Sequence, residues 1–66
     1  MTGREREIIE VLTKLEGQAH PTTIGKAMGI SPDYAEQLCR DMVWMKYFVK
    51  KGLKYGLAPQ YSEKEM

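Results

Sequence analysis

Apolar residues in the first part of the chain recur at helical spacing. Ile8, Leu12 and Leu15 lie three or four positions apart and share one face, which Ile9 and Val11 widen. The capping signals around this run are Thr2, Glu5 and Gly17. The pattern predicts an amphipathic helix that begins near residue 2 and is capped at residue 17.

A short second helix is predicted from Pro21 or Thr22 to Met28. Proline suits the first helical position and threonine suits the cap, and a glycine follows directly after the helix. We expect Ile24, Ala27 and Met28 to face the core.

The third helix has the strongest start signal, because Ser31 is a preferred N-cap, Pro32 suits the first turn and Asp33 complements the helix dipole. It is predicted to run to about Lys46. The residues expected in its core-facing arc are Tyr34, Ala35, Leu38, Met42 and Met45, with Cys39 at the margin. The opposite arc holds Asp33, Glu36, Gln37, Arg40 and Trp44.

The pattern changes after the third helix. Residues 47–49 and 54–57 are typical of two short strands, joined by a glycine-containing turn at 50–53, and Pro59 stops the second strand. The last residues are polar and charged. We therefore expect one mainly α, α+β domain over 1–58 and a flexible C-terminal tail over 59–66.

Composition limits the kind of protein that these elements form. With 66 residues, 42% of them hydrophobic, the chain has room for one small core. Cys39 is the one cysteine and His20 the one histidine, so neither an internal disulfide nor a zinc cluster is expected. The free cysteine and the lack of a long apolar run predict a cytoplasmic protein without a membrane span.

The formal net charge of +1 hides an uneven distribution. Residues 1–45 hold seven acids and five basic side chains, whereas residues 46–58 hold four lysines and no acid. The lysines are Lys46, Lys50, Lys51 and Lys54. A cationic segment favours an anionic partner, although lysines on a hairpin also keep an exposed strand from pairing with another chain.

Three helices followed by a β-hairpin resemble the winged helix-turn-helix family. Residues 24–31 look like the second helix and turn of that family, and residues 54–57 look like its returning wing strand. The positions that match its other core residues are Ala35, Leu38, Met42, Tyr47 and Phe48. Two features depart from the pattern: Lys46 stands where many members have a glycine, and the wing turn is short.

The resemblance implies a protein that binds double-stranded DNA, with the third helix in the major groove and the wing on phosphate. Arg40 would offer two donors to guanine, and Gln37 would pair with adenine. The full set of implied DNA-binding residues is Ser31, Asp33, Glu36, Gln37, Arg40, Lys50, Lys51 and Lys54. For Asp33 and Glu36, a solvated position without base contact is the simpler interpretation. A small transcriptional regulator is the leading hypothesis, and a homodimer would double the DNA contacts.

Two rival hypotheses remain at this stage. A winged-helix protein-interaction module would use the acidic first helix and a surface around Val43 and Trp44. Trp44 itself is compatible with burial against the hairpin or tail, with a dimer contact, or with stacking on a base. A single-stranded nucleic acid is a third possible target, through Tyr47, Phe48 and Tyr55, although their strand positions indicate core residues first.

Catalytic motifs are not evident. The paired glycines lack the context of a phosphate-binding loop, and two serines, one cysteine and one histidine show no spacing of a nucleophile with its base. The sequence therefore predicts no enzyme, no cofactor and no small-molecule ligand.

Overall fold

The structure is a computed structural model that describes residues 3–59. Within these residues the chain forms three helices and a three-stranded antiparallel sheet, a mixed α+β arrangement. The elements are α1 Gly3–Lys14, β1 Gln18–Ala19, α2 Pro21–Met28, α3 Pro32–Trp44, β2 Phe48–Lys51 and β3 Lys54–Leu57. This order is compatible with a winged-helix layout. The cap predicted at Thr2 and the tail predicted from residue 60 onward lie outside the described residues.

The sheet contains a strand that the sequence pattern did not predict. Its order is β1-β3-β2, and β1 pairs with β3 through Gln18 opposite Gly56 and Ala19 opposite Tyr55. Two residues are too few to show an alternating pattern, so the segment resembled a polar loop. Pairing with β3 supplies its hydrogen bonds, and the Leu57 amide also donates to the Gly17 carbonyl at 2.9 Å.

Side-chain caps fix where α2 and α3 begin. The backbone N–H of Thr22 donates to Nδ1 of His20 at 3.1 Å, so His20 is the cap of α2 and Pro21 its first residue. The N–H of Tyr34 donates to Oγ of Ser31 at 3.1 Å, which confirms the predicted start of α3.

The exit from α3 differs from the prediction. The helix ends at Trp44, whereas the apolar spacing predicted an end near Lys46. Lys46 adopts a left-handed φ of 69°, which is the conformation that glycine adopts most easily. The chain therefore turns toward β2 at the position where the resembled family often has glycine.

The core lies between the three helices and one face of the sheet. Its largest members with almost no solvent exposure are Ile8, Leu12, Ile24, Cys39, Met42 and Phe48. Ala35 and Leu38 are buried as predicted. Leu15 is only partly buried, although it packs against this cluster.

Three predicted core positions are wrong. Tyr34 is 43% exposed in the first turn of α3, where the Arg4 guanidinium lies 5.8 Å from the centre of its ring. Met45 is 37% exposed because it follows the last residue of α3 and has left the packed stripe. Ala27 is exposed because α2 packs through the stripe that contains Ile24 and Met28.

Close contact between α2 and the turn that follows it holds α3 in place. A Cβ at Gly25 would lie 2.9 Å from the Ile30 carbonyl oxygen and 3.3 Å from that of Ser31. Because both neighbours are backbone atoms, only glycine allows this approach. This turn lies directly before α3, so it sets the direction of that helix.

Candidate nucleic-acid interface

The polar face of α3 is exposed as the sequence predicted. Asp33, Gln37 and Arg40 are exposed and Glu36 is partly exposed, because the opposite face of the helix is buried in the core. These four side chains therefore share one solvent-facing surface, which we call the α3 face.

Two polar pairs span successive turns of the α3 face. Nη2 of Arg40 donates to Oε2 of Glu36 at 3.2 Å, and Nε2 of Gln37 donates to Oδ1 of Asp41 at 3.2 Å. The Arg40 and Glu36 side chains remain 64% and 42% exposed, and such pairs contribute little to stability. Both donors can therefore exchange these carboxylates for another acceptor at low energetic cost.

Ser31 has a structural task at the edge of this surface. Its oxygen accepts the capping hydrogen bond from Tyr34, which fixes the first turn of α3. Its hydroxyl proton is still available as a donor, because a serine hydroxyl carries one donor and two acceptor sites.

The hairpin places its lysines on two faces rather than in one cluster. The predicted turn at 50–53 is wrong in extent: Lys50 and Lys51 belong to β2, and a two-residue loop follows, with a Gly52 φ of 64°. Side chains alternate along a strand, so Lys50 shares the face of buried Phe48, whereas Lys51 lies on the opposite face.

Lys50 faces α3. Together with Arg40, Val43 and Tyr55 it lines a cleft of about 160 Å³ between helix and hairpin, which we call the Arg40–Lys50 cleft. Its Nζ lies 5.9 Å from the centre of the Tyr55 ring, at the outer limit of a cation–π contact. The helix and the hairpin thus contribute one cation each to a shared surface.

A second groove of about 320 Å³ continues this surface toward the start of α3. Its lining includes Asp33 and Glu36 from the helix, and Lys50 and Leu53 from the hairpin. The surface is therefore acidic near the start of α3 and cationic at the Arg40–Lys50 cleft.

The outer side of the hairpin holds two lysines directly opposite each other. Lys51 pairs with Lys54 across the strands, and neither side chain has an ion pair within residues 3–59. Like charges at directly opposed positions destabilise a sheet. The stability of the sheet therefore does not explain this pair, although a lysine on the edge strand β2 also keeps that strand from pairing with another chain.

Large apolar side chains are also exposed on α3 and on the hairpin. Trp44 is 86% exposed, so the interpretation that it is buried against the hairpin is wrong; burial against the tail concerns residues outside those described. Val43 beside it is partly buried. Sequence reasoning missed Leu53, which is 78% exposed; its position after the glycine of the turn was the available signal.

Cys39 lies below this face and is inaccessible. Burial, and to a smaller extent the carboxylate of Glu36, raise the pKa of the Cys39 thiol from 9.0 to about 12. The side chain is therefore a thiol at neutral pH and behaves as a small hydrophobic residue. Among residues 3–59, no three side chains of metal-ligating type are grouped closely enough to hold an ion. None of the helices described is long and apolar enough to cross a membrane.

Comparison with known proteins gives no support from relatives: no protein family, curated protein or solved structure matches the chain. The features that bear on function are therefore the geometry of the α3 face and of the hairpin.

Proposed function

We propose that the protein is a small winged-helix DNA-binding protein that acts as a transcriptional regulator. The observation that supports this proposal best is the shared surface of α3 and the hairpin, where Arg40 and Lys50 line one cleft. An exposed helix flanked by a cationic hairpin fits a duplex if the helix enters the major groove and the hairpin contacts the backbone.

The two elements have different tasks in this proposal. On α3, Arg40 and Gln37 present the donors that recognise guanine and adenine edges, after exchange of Glu36 and Asp41 for base acceptors. On the hairpin, Lys51 and Lys54 contact phosphates. Their opposed placement costs folding energy, and a phosphate between them would relieve the repulsion.

The acidic start of α3 limits the affinity. Asp33 and Glu36 face the same groove as Lys50 and would repel a phosphate placed there. We therefore expect the cationic end of the surface, at the hairpin and the Arg40–Lys50 cleft, to dominate non-specific binding. Asp33 and Glu36 would then stay solvated, without base contact.

The proposal is tested with a double charge reversal and a matched control. Lys51→Glu with Lys54→Glu changes the hairpin, and Arg6→Glu with Lys14→Glu makes the same change of charge on exposed positions of α1. Fluorescence anisotropy with a labelled random-sequence duplex at low salt reports the affinity of each variant. We expect the hairpin variant to lose at least about tenfold in affinity and the α1 variant to lose far less.

Equal losses in the two variants would mean that only net charge matters, and would contradict a hairpin-led contact. Circular dichroism of both variants establishes that they are folded. No binding by the unchanged protein would leave the second candidate, a protein-interaction module, which the 86% exposure of Trp44 favours.

A further inference from the structure

We propose that Trp44 packs over the open Arg40–Lys50 cleft of a second copy of the chain, and that the resulting weak symmetric homodimer covers the proposed DNA-binding surface. The occlusion of DNA rests on the proposed function. The homodimer itself rests only on the geometry of Trp44 and the cleft.

The group that would pack against the second copy is an indole that residues 3–59 leave uncovered. Trp44 is 86% exposed at the last residue of α3, one helical turn after Arg40 on the same face. An indole of this size buries about 150–250 Å² when it is covered, which makes it a strong anchor for association.

The receiving site has the chemistry that favours an aromatic ring. The Arg40–Lys50 cleft is an open depression of about 160 Å³, so an indole would lie across it rather than be enclosed by it. Val43 would supply the apolar contact, because Tyr55 is only 2% exposed. Arg40 and Lys50 supply cations, which are attracted to the face of an indole more than to any other aromatic ring.

The two parts lie on one chain and on adjoining surface, which is the requirement for a two-fold contact. When two α3 helices pair antiparallel about a two-fold axis, Trp44 of each copy approaches Arg40 of the other copy. One association therefore covers both clefts. This reciprocity favours a second copy over an unrelated partner, which would have to supply an indole of its own.

The small area that this contact would bury predicts a weak, concentration-dependent dimer. Two indoles and the walls that they cover remain below the roughly 1,200 Å² at which stable interfaces begin. Arg40 and Lys50 would contact an indole in the dimer and nucleic acid in the monomer, so the two states exclude each other. High protein concentration would then reduce the fraction that is able to bind DNA.

The dimer is tested without DNA. Trp44 is the one tryptophan of the chain, so its fluorescence emission reports the environment of the proposed contact directly. We expect the emission to shift to shorter wavelength as concentration rises, in parallel with a doubling of mass in analytical ultracentrifugation. Trp44→Ala is expected to stay monomeric, whereas Leu53→Ala, a change at another exposed apolar residue, is expected to dimerise normally.

A second matched pair tests the cleft. Lys50→Glu places an anion beside the indole and is expected to weaken dimerisation by about tenfold, because a cation–π contact is lost in both clefts. Lys51→Glu makes the same charge change on the opposite face of β2 and is expected to leave dimerisation nearly unchanged.

Three results would overturn the inference: a monomer at every concentration, an emission that is already at short wavelength in dilute protein because the chain covers its own indole, or equal effects of Lys50→Glu and Lys51→Glu. A dimer that forms in a protein without DNA affinity would leave the homodimer standing and refute the proposed function. DNA binding by a protein that stays monomeric would support the proposed function and refute the homodimer.

Discussion

At the scale of single residues, the tightest constraint on the candidate interface is the missing side chain at Gly25. It brings the backbone of α2 against the carbonyl groups of Ile30 and Ser31, directly before α3. A side chain here would move the start of α3, the helix that carries the residues proposed to contact base edges. Packing at one buried glycine thus determines the position of an exposed surface.

Gly25→Ala is expected to destabilise the protein by about 1–3 kcal/mol. The new Cβ would lie 2.9 Å from a backbone oxygen, and the resulting overpacking outweighs the gain in helix propensity. Gly3→Ala is the control, because a Cβ there meets no atom within 4 Å. Urea denaturation measures both, and equal stability of the two variants would contradict the close approach.

Cys39 gives the stability a defined pH dependence. Its pKa is raised from 9.0 to about 12 in the folded chain, so the stabilisation is complete below pH 9 and is lost as pH rises from 9 toward 12. The loss is expected to approach about 1.4 kcal/mol per pH unit in that range. Subtracting the pH profile of Cys39→Ala from that of the unchanged protein isolates this effect. A difference that stays constant above pH 9 would contradict it.

At the scale of elements, the hairpin combines a folding cost with a proposed binding gain. Its two-residue loop sets the register that places Lys51 opposite Lys54. The same register turns Lys50 toward α3. Stability and DNA affinity should therefore respond in opposite directions to a change in the opposed pair.

Lys54→Glu is expected to raise the free energy of unfolding by up to about 1 kcal/mol and to weaken DNA binding. The substitution replaces a repulsive cross-strand pair by an attractive one and removes a proposed phosphate contact. Urea denaturation and anisotropy on the same sample measure the two effects. A variant that is less stable, or that binds DNA more tightly, would be inconsistent with this account of the hairpin.

The predictability of each element follows from where its determinants lie. The start of α3 was predictable because its capping residue, Ser31, acts within one helical turn. For α2, proline at the first helical position was predictable, whereas the cap is His20 and not the predicted threonine. β1 was not predictable, because its hydrogen bonds come from β3, far along the chain. The polar α3 face, with Trp44 on it, was predictable from helical period, whereas the exposure of Tyr34 depends on which neighbours reach the first turn of the helix.

At the scale of the whole molecule, a nearly neutral chain carries a locally cationic surface. The net charge is +1, yet residues 46–58 hold four lysines and no acid. The fold places this segment beside α3, where the Arg40–Lys50 cleft connects the two elements. Local charge therefore matters more than net charge for the proposed binding of DNA.

The measurement that tests this account most directly is the dependence of DNA affinity on salt concentration. If three to five cations contact phosphates, the logarithm of the binding constant falls with the logarithm of salt concentration with a slope of about −2.7 to −4.5. Anisotropy titrations of a labelled duplex across a series of salt concentrations give this slope. No binding at low salt, or an affinity that does not change with salt, would contradict the central claim.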